Sequence, residues 1–159
     1  MSTENRLILT VEGYQKMEKE LERLRTTGRR EVADRIRDSK QFGDFTENAE
    51  FEEAKIEQAF VEGRIHDLQR VLQAAQVMDR ESVPTDSVGI GSVVTVEDVE
   101  TGDEWQFTLV GSVESDPDND RISDESPVGE ALYGRGVGDE VSIAVPDGRI
   151  RYRVMSISR

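Results

Sequence analysis

The stretch Gly43-Asp44-Phe45-Thr46-Glu47-Asn48-Ala49-Glu50 decides the predicted fold, because it separates two long segments with helical periodicity. In both segments apolar residues recur at spacings of three and four, which is typical of a narrow coiled-coil seam. The seam positions are Tyr14, Met17, Leu21, Leu24, Val32, Ala33 and Ile36 before the break, and Ala54, Val61, Ile65, Leu68, Leu72 and Ala75 after it. Because the connection is short, the helices must run antiparallel. The sequence therefore predicts an all-α antiparallel coiled-coil hairpin with Asp44 and Glu47 at its tip.

The predicted helices are long, and the first has a weak point. Each would span roughly 28–30 residues, or about 42–45 Å at the usual rise per residue. Thr10 is suited to cap the first helix, and residues 1–9 are expected to form a short tail. Gly28 falls inside that helix, where glycine costs about 1 kcal/mol relative to alanine. We therefore expect a local weakness or bend at Gly28.

A second domain is predicted where the composition changes, near Val83-Pro84. Pro84-Thr85-Asp86-Ser87 is typical of a linker. Beyond it, apolar patterning predicts strands over residues 93–96, 105–110, 141–145 and 150–157. Ser126-Pro127 predicts the start of a short helix that runs through Tyr133. We therefore expect two domains, an N-terminal hairpin over residues 1–80 and a small α+β domain over residues 81–159.

The charge of the chain is strongly negative and unevenly distributed. The formal net charge is −14 over 159 residues. Residues 1–79 hold 13 Lys and Arg against 17 Asp and Glu, whereas residues 80–159 hold 7 against 17. Binding to a phosphate backbone requires Lys and Arg that replace counterions. Any contact with nucleic acid is therefore expected to be local and in the first half, and the acidic second half is explained most simply by solubility.

Residue types exclude several chemistries. The chain has no cysteine, which excludes disulfides, zinc thiolate sites and thiol nucleophiles. His66 is the only histidine, so a Ser-His-Asp triad or a multi-histidine metal site is poorly supplied. The apolar runs are too short to span a membrane, and the first residues do not resemble a signal peptide. We therefore expect a cytoplasmic protein with no membrane partner.

The carboxylates at the predicted tip have two explanations. In the first, Asp44 and Glu47 form a capping box at the start of the second helix, and Glu50 complements the helix dipole. In the second, these carboxylates bind a hard divalent cation, which takes oxygen ligands. Phe45 favours the second explanation, because core packing does not account for an aromatic residue at the tip. Two protein oxygens are too few for a complete Mg²⁺ shell, so a second macromolecule would supply the rest.

Basic residues flank the predicted tip. Arg35, Arg37 and Lys40 precede it, and Lys55 follows it. Arg37 and Lys40 lie about one helical turn apart, where they could hold a phosphate backbone near the acids. Taken in isolation, Lys55 is explained better by a pair with an acid three or four residues away on its own helix. The residues alone leave both roles of Lys55 open.

Several motifs together carry a resemblance to a known protein family. They are Thr10-x-Glu12-Gly13-Tyr14, Phe42-Gly43-Asp44-Phe45-Thr46-Glu47-Asn48-Ala49-Glu50-Phe51, Gln58-x-Phe60-x-Glu62-Gly63-Arg64-Ile65, Ala75-Gln76-Val77-Met78-Asp79, Ser126-Pro127-Val128-Gly129-x-Ala131-Leu132-x-Gly134 and Gly138-Asp139-x-Val141. On these motifs the chain resembles the GreA/GreB family of bacterial transcript-cleavage elongation factors, and its GreA members more closely. The similarity covers nearly the whole chain. The tip and second-helix motifs together are specific, whereas a helical hairpin alone is not.

The resemblance implies a role for each domain. The C-terminal domain would have an FKBP-like fold and would dock at the rim of the secondary channel of bacterial RNA polymerase, with Ser126, Pro127 and Gly129 in the docking region. The hairpin would enter the channel and bring its tip to the polymerase active centre. There the 3′ end of the nascent RNA is extruded when the complex has backtracked.

The resemblance also implies a chemistry for the tip. Asp44 and Glu47 would be the catalytic ligands and would hold Mg²⁺ only jointly with RNA polymerase, with none bound stably by the factor alone. The other contacts with RNA or polymerase would be made by Arg37, Lys40, Phe45, Asn48, Glu50 and Lys55. The factor would act as a monomer and would stimulate hydrolysis that the polymerase performs. It would therefore not be an enzyme by itself.

Two positions depart from the family pattern. Arg29-Arg30 stands where a proline is common, and Glu130 stands where many relatives carry a basic residue. The alternative function is that of a relative that enters the same channel and inhibits the polymerase without stimulating cleavage. The intact Asp44-x-x-Glu47-Asn48 favours cleavage over inhibition.

Two functions of other classes are weaker. A peptidyl-prolyl isomerase or chaperone would need a pocket lined with several aromatic residues. Trp105, Phe107, Tyr133 and Tyr152 are instead expected to fill the core of the C-terminal domain. A purely structural coiled-coil adaptor predicts that replacing the tip acids has no functional effect.

Overall fold

The helical periodicity of the N-terminal half produces three long helical segments in the computed structural model, which describes residues 7–40 and 49–159. Helix α1 spans Val11–Arg23, α2 spans Arg29–Ser39 and α3 spans Ala49–Ala74. Arg29, at the start of α2, pairs with Glu62 in the middle of α3, whereas Arg35, later in α2, pairs with Glu53 near the start of α3. The predicted antiparallel hairpin is therefore confirmed within the described residues.

The core of this hairpin follows the predicted seam. Leu21, Val32, Val61, Ile65 and Leu68 are buried together, and the partly buried residues packed against them are Met17, Leu24, Ile36 and Leu72. Ala33 was predicted to belong to the seam, and that prediction is wrong, because its side chain is exposed.

A π-helical segment, Leu24–Gly28, joins α1 to α2 and explains why the seam shifts. A π-turn contains more residues than an α-turn, so it moves the apolar stripe along the sequence. Val32 is consequently only 3 % exposed, whereas Glu31, one heptad after Leu24, points outward. The expected irregularity at Gly28 takes this form.

The first described residues form a strand and not a tail. Strand β1, Ile8–Thr10, pairs in parallel with β2, Gln76–Met78, which follows α3. Leu9 is completely buried, and the amide of Gln76 donates to the carbonyl of Leu7 at 2.8 Å. Residues 7–13 consequently belong with residues 75–159 in one compact unit, and residues 14–74 form the other. The sequence had placed the first of these segments, and the start of the second, in the N-terminal domain.

A five-stranded sheet forms the rest of the first unit. Its strands are β3 Val93–Asp98, β4 Glu104–Val110, β5 Arg121–Ser123, β6 Glu140–Val145 and β7 Gly148–Ser158, in the order β5-β4-β3-β7-β6. The pairing is antiparallel except between β4 and β5. One short helix, α4, spans Pro127–Leu132. The predicted α+β class is therefore confirmed, although β5 was not predicted and α4 ends one residue before Tyr133.

Aromatic and aliphatic side chains form the core of the sheet. Phe107 and Val154 are each 1 % exposed, and Leu132 from α4 is completely buried. Trp105 packs on Phe107, with ring centroids 4.6 Å apart, and on Tyr152 at 6.1 Å. Tyr133 was also expected in this core, and that expectation is wrong, because the residue is 56 % exposed.

Candidate functional site

The predicted tip is bracketed by the ends of α2 and α3. Asp44, Phe45, Glu47 and Asn48 lie outside the described residues, so their predicted roles remain predictions. The structure does describe the adjoining helical turns. Four of the predicted contact residues lie there: Arg37, Lys40, Glu50 and Lys55.

Arg35 ties the two helices together next to the tip. Its guanidinium lies 3.2 Å from a carboxylate oxygen of Glu53 and 3.6 Å from one of Glu50, and it donates a short hydrogen bond to Glu57. The hydrogen bond with Glu57 raises the pKa of Arg35, and the negative charges of Glu57 and Glu50 add to that effect. Three carboxylates of α3 therefore share one cation from α2, and Glu50 faces this cation at the start of its helix.

Arg37 is engaged with acids of its own helix. One guanidinium nitrogen lies 3.2 Å from Asp34, and another lies 3.7 Å from Asp38. The Arg37 side chain is nevertheless 66 % exposed, and exposed pairs of this kind contribute only about 0–1 kcal/mol. Such pairs can be exchanged for a phosphate at little cost, and Lys40, one turn further, is also exposed.

Lys55 forms a hydrogen bond with a neighbour on its own helix. Its ammonium donates to the side-chain oxygen of Gln58, three residues later, at 3.0 Å. The partner is an amide and not one of the acids that were considered. This bond is exposed to solvent, so it does not prevent Lys55 from contacting another molecule.

Two bidentate ion pairs set the register of the hairpin. Arg29 donates two hydrogen bonds of 2.9 Å to Glu62, and Arg64 donates two to Glu20, at 2.7 and 3.0 Å. The hydrogen bond between Arg29 and Glu62 lowers the pKa of the carboxyl and raises that of the guanidinium. The planar fork of arginine makes such pairs geometrically specific. Glu62 and Arg64 belong to the second-helix motif, and their periodic placement beside the seam was the signal that could have identified these pairs.

The predicted docking residues build the start of α4. The hydroxyl oxygen of Ser126 accepts from the amide of Gly129 at 3.1 Å and donates to the carbonyl of Ser123 at 2.6 Å. Pro127 occupies the first turn, where its missing N–H is tolerated. A Cβ on Gly129 would lie 2.0 Å from the Ser123 carbonyl oxygen, so only glycine fits. These three residues have structural roles, and docking remains a prediction.

Among residues 7–40 and 49–159, no group of three or more acidic, histidine or cysteine side chains is placed to hold a metal ion. No helix within these ranges is long and apolar enough to cross a membrane. The site that the described residues support is therefore a helical arm with ion pairs between and along its helices, next in sequence to the acidic segment around Asp44 and Glu47.

Comparison with known proteins connects this architecture to a family. A family model described as "Transcription elongation factor, N-terminal" matches residues 7–77, and one described as "Transcription elongation factor, GreA/GreB, C-term" matches residues 83–159. A protein named transcription elongation factor GreA from Acetivibrio thermocellus is 50 % identical over 159 residues, which is the full length of both chains. The protein of that name from Thermoanaerobacter pseudethanolicus is 50 % identical over 153 residues, covering 96 % of this chain and 98 % of its own.

A solved structure, that of GreA factor homolog 1 from Thermus thermophilus, is 31 % identical to this chain and covers 98 % of it and 100 % of its own length, with a TM-score of 0.45. The two family models together match nearly all of the sequence, and the two curated relatives match it at half identity. This chain therefore belongs to the GreA/GreB family of transcription elongation factors.

Proposed function

We propose that this chain is a transcription elongation factor that enters the secondary channel of bacterial RNA polymerase and stimulates the polymerase's own cleavage of backtracked RNA. The observation that carries this proposal is the 50 % identity over the whole chain to a protein named transcription elongation factor GreA. The partners are RNA polymerase and the 3′ end of the nascent RNA. The reaction belongs to the polymerase, and the factor completes the site without being an enzyme alone.

The dimensions of the helices suit this task. The continuous helical segment from Val11 to Ser39 contains 29 residues, and α3 contains 26. At about 1.5 Å per residue these lengths correspond to roughly 40 Å, enough to carry a narrow tip into a deep channel. The ion pairs of Arg29, Arg35 and Arg64 connect the two sides of the hairpin and oppose bending of the arm.

The chain's own contribution to the chemistry is a pair of carboxylates. Asp44 and Glu47 provide the oxygen donors that Mg²⁺ prefers, and two such groups are too few to hold the ion alone. RNA polymerase therefore supplies the remaining ligands of a shared ion. When bound, Mg²⁺ supplies positive charge that stabilises the attacking and leaving oxygens of an in-line displacement at phosphorus.

The neighbouring residues would orient the RNA and the tip. Phe45 and Asn48 contact the RNA end or the channel wall, and Arg37 and Lys40 hold the phosphate backbone below the acids. The exposed pairs of Arg37 with its own helix support this role, because a phosphate can replace them without leaving a buried charge behind. Glu50 stays paired with Arg35 and connects the first turn of α3 to α2.

A stalled, backtracked elongation complex with 3′-proximal RNA label and Mg²⁺ tests the proposal. Wild-type protein is compared with Asp44→Ala/Glu47→Ala. A matched control, Glu18→Ala/Glu22→Ala, removes two exposed acids from α1 and changes the net charge equally. The wild type and the control should release short 3′ fragments, and the tip variant should bind the complex without doing so.

Other outcomes assign other functions. If the wild type binds and only slows synthesis, the protein is an inhibitor of the channel and the cleavage proposal is wrong. If the tip variant cleaves as well as the wild type, Asp44 and Glu47 form only a helix cap. If no variant binds the polymerase, the chain lacks the proposed partner.

A further inference from the structure

Glu114 is a buried carboxylate that the proposed chemistry does not use. It ends a 3₁₀ turn, Ser112–Glu114, and its side chain is only 3 % exposed. Arg121 donates to one of its oxygens at 2.8 Å and supplies the counter-charge. A charge buried this deeply is retained in a fold only when it is paired and hydrogen-bonded. Its remaining hydrogen bonds therefore indicate what it does.

Those hydrogen bonds reach the opposite end of the chain. The backbone amide of Thr10 donates to Glu114 Oε2 at 2.9 Å, and the Thr10 hydroxyl donates to Oε1 at 2.7 Å. The same hydroxyl oxygen accepts from the amide of Gly13 at 3.0 Å, which makes Thr10 the N-cap that the sequence predicted. Glu114 thus binds Thr10, the N-cap of α1, and its negative charge is favourable near a helix N-terminus.

Shape reinforces these bonds. A Cβ on Gly13 would lie 1.9 Å from Glu114 Oε1, so the first turn of α1 rests directly on the carboxylate. Gly111 packs in the same way against β1, because a Cβ there would lie 2.9 Å from the carbonyl oxygen of Ile8. Two glycines therefore bring the backbone of residues 8–13 into close contact with residues 111–114.

This attachment matters because α1 passes from one compact unit into the other. Residues 7–13 belong to the sheet-containing unit, and the rest of α1, from Tyr14, belongs to the helical unit. Because an α-helix resists bending, a constraint on the direction of its first turn also constrains the direction of the rest of α1. The only other connection between the units along the chain is at Ala74–Ala75, where α3 ends.

We propose that Glu114 is a positioning residue for the cleavage reaction, because it fixes the first turn of α1 and so limits the angular freedom of the arm that carries Asp44 and Glu47. This inference rests on the proposed function. Without the carboxylate, the first turn of α1 would no longer be held against residues 111–114. A misplacement of about 1 Å at a reacting centre can lower a rate by up to about 10²-fold.

Three variants separate positioning from folding. Glu114→Ala removes the carboxylate, Thr10→Val removes only the hydroxyl bonds, and Glu114→Gln keeps an oxygen for the Thr10 amide. Each is titrated against the backtracked complex to separate the maximal cleavage rate from the factor concentration at half-maximal effect. Glu114→Ala should lower the maximal rate by about tenfold or more with less than about a twofold change in that concentration, and Glu114→Gln should restore part of the rate.

Arm freedom is measured directly on the same proteins. The natural chain has no cysteine, so cysteines introduced at exposed Glu18 and Glu100 can carry spin labels without side reactions. Pulsed electron paramagnetic resonance should show a broader distribution of the distance between the two labels in Glu114→Ala and Thr10→Val than in the doubly labelled protein without these changes. The helix content measured by circular dichroism should stay the same. Because Thr10→Val retains the ion pair of Glu114 with Arg121, it keeps the test meaningful should Glu114→Ala fold poorly.

Opposite results overturn the inference. Unchanged distance distributions in both variants would show that Glu114 does not restrain the arm. A loss of cleavage matched by an equal loss of binding would show a docking role instead. If the wild type itself fails to stimulate cleavage, the proposed function is wrong, and the label distances still decide whether Glu114 anchors α1.

Discussion

Replacing Gly13 with alanine should destabilise the protein, although the same change in a helix is usually favourable. Alanine has a helix propensity about 1 kcal/mol better than that of glycine. At Gly13, however, the new Cβ would lie 1.9 Å from Glu114 Oε1 and 2.3 Å from its carboxyl carbon. The buried carboxylate cannot remain there, because Cβ contacts under 3.0 Å essentially do not occur.

The size of the effect follows from the bonds that the retreat would break. Glu114 must move by more than about 1 Å to bring the 1.9 Å contact to at least 3.0 Å, which stretches its bonds of 2.9 and 2.7 Å to Thr10. Hydrogen bonds to a charged group contribute about 1.5–3 kcal/mol each, and overpacking a buried site costs about 1–3 kcal/mol. Because the retreat itself relieves the overpacking, the cost is that of the two lengthened bonds, about 3–6 kcal/mol. After the propensity gain of about 1 kcal/mol, Gly13→Ala should lower the free energy of unfolding by about 2–5 kcal/mol.

Thermal and urea unfolding of the full chain measure this change, with Gly63→Ala as the matched control. Gly63 lies inside α3, and a Cβ at this position would meet no neighbouring side chain within 4 Å, so alanine should gain the full propensity of about 1 kcal/mol. At about 2–4 °C per kcal/mol for a chain of this size, Tm should rise by about 2–4 °C for Gly63→Ala and fall by about 4–20 °C for Gly13→Ala. Equal shifts of the same sign would refute the close packing of Gly13 on Glu114.

Three further outcomes are expected from the hairpin. Gly28→Ala should raise Tm by less than Gly63→Ala does, because its Cβ would crowd Leu24 Cδ2 at 3.3 Å; a loss of stability would mean that Leu24 cannot yield. Leu68→Ala, at a position 1 % exposed, should cost about 2–5 kcal/mol in urea unfolding followed by circular dichroism, and a smaller loss would contradict its place in the core. Because Arg29 lowers the pKa of Glu62, this pair stabilises the fold above the ordinary pKa of glutamate and loses that effect as pH falls through the lowered value. Arg29→Gln should therefore weaken the fold at neutral pH and flatten the acid limb of its pH–stability curve. If the curves of the variant and the wild type have the same shape, the pair does not contribute as described.

The long helices and strands could be predicted because their patterns are local. Leu21, Val61 and Ile65 recur at helical spacing and are buried together. Val94 and Val96 alternate in a strand and are completely buried. Each pattern records which face of an element meets the core, and neighbouring residues are enough to recognise it.

Predictions failed where geometry departs from that periodicity. Ala33 was expected in the seam together with Val32 and Ile36, where the apolar residues resume after the interruption at Gly28. The π-helical segment Leu24–Gly28 shifts the apolar stripe, so Val32 is buried and Ala33 is exposed. Strand β1, Ile8–Thr10, was missed because three residues are too short to show alternation, and its pairing partner follows α3.

The same distinction applies to the candidate site. Arg37, Lys40, Glu50 and Lys55 could be placed beside the tip by counting helical residues. The charges that these side chains contact could not be predicted in this way. Arg35 pairs with Glu53 and Glu57 on the other helix, whereas Arg37 pairs with Asp34 on its own helix. The rotamer that an exposed charged side chain adopts depends on every acid within reach, and those acids come from two elements.

The sequence by itself determined the two antiparallel helices, most of the sheet and the family, because each is encoded in residues close together along the chain. Only the tertiary structure decided that Glu114 binds Thr10, the N-cap of α1. Thr10 and Glu114 are separated by 104 positions, and in the sequence Glu114 is one more acid in an acidic segment. Its role arises because folding buries it beside Arg121 and the amide of Thr10, where a carboxylate must be fully hydrogen-bonded to be stable.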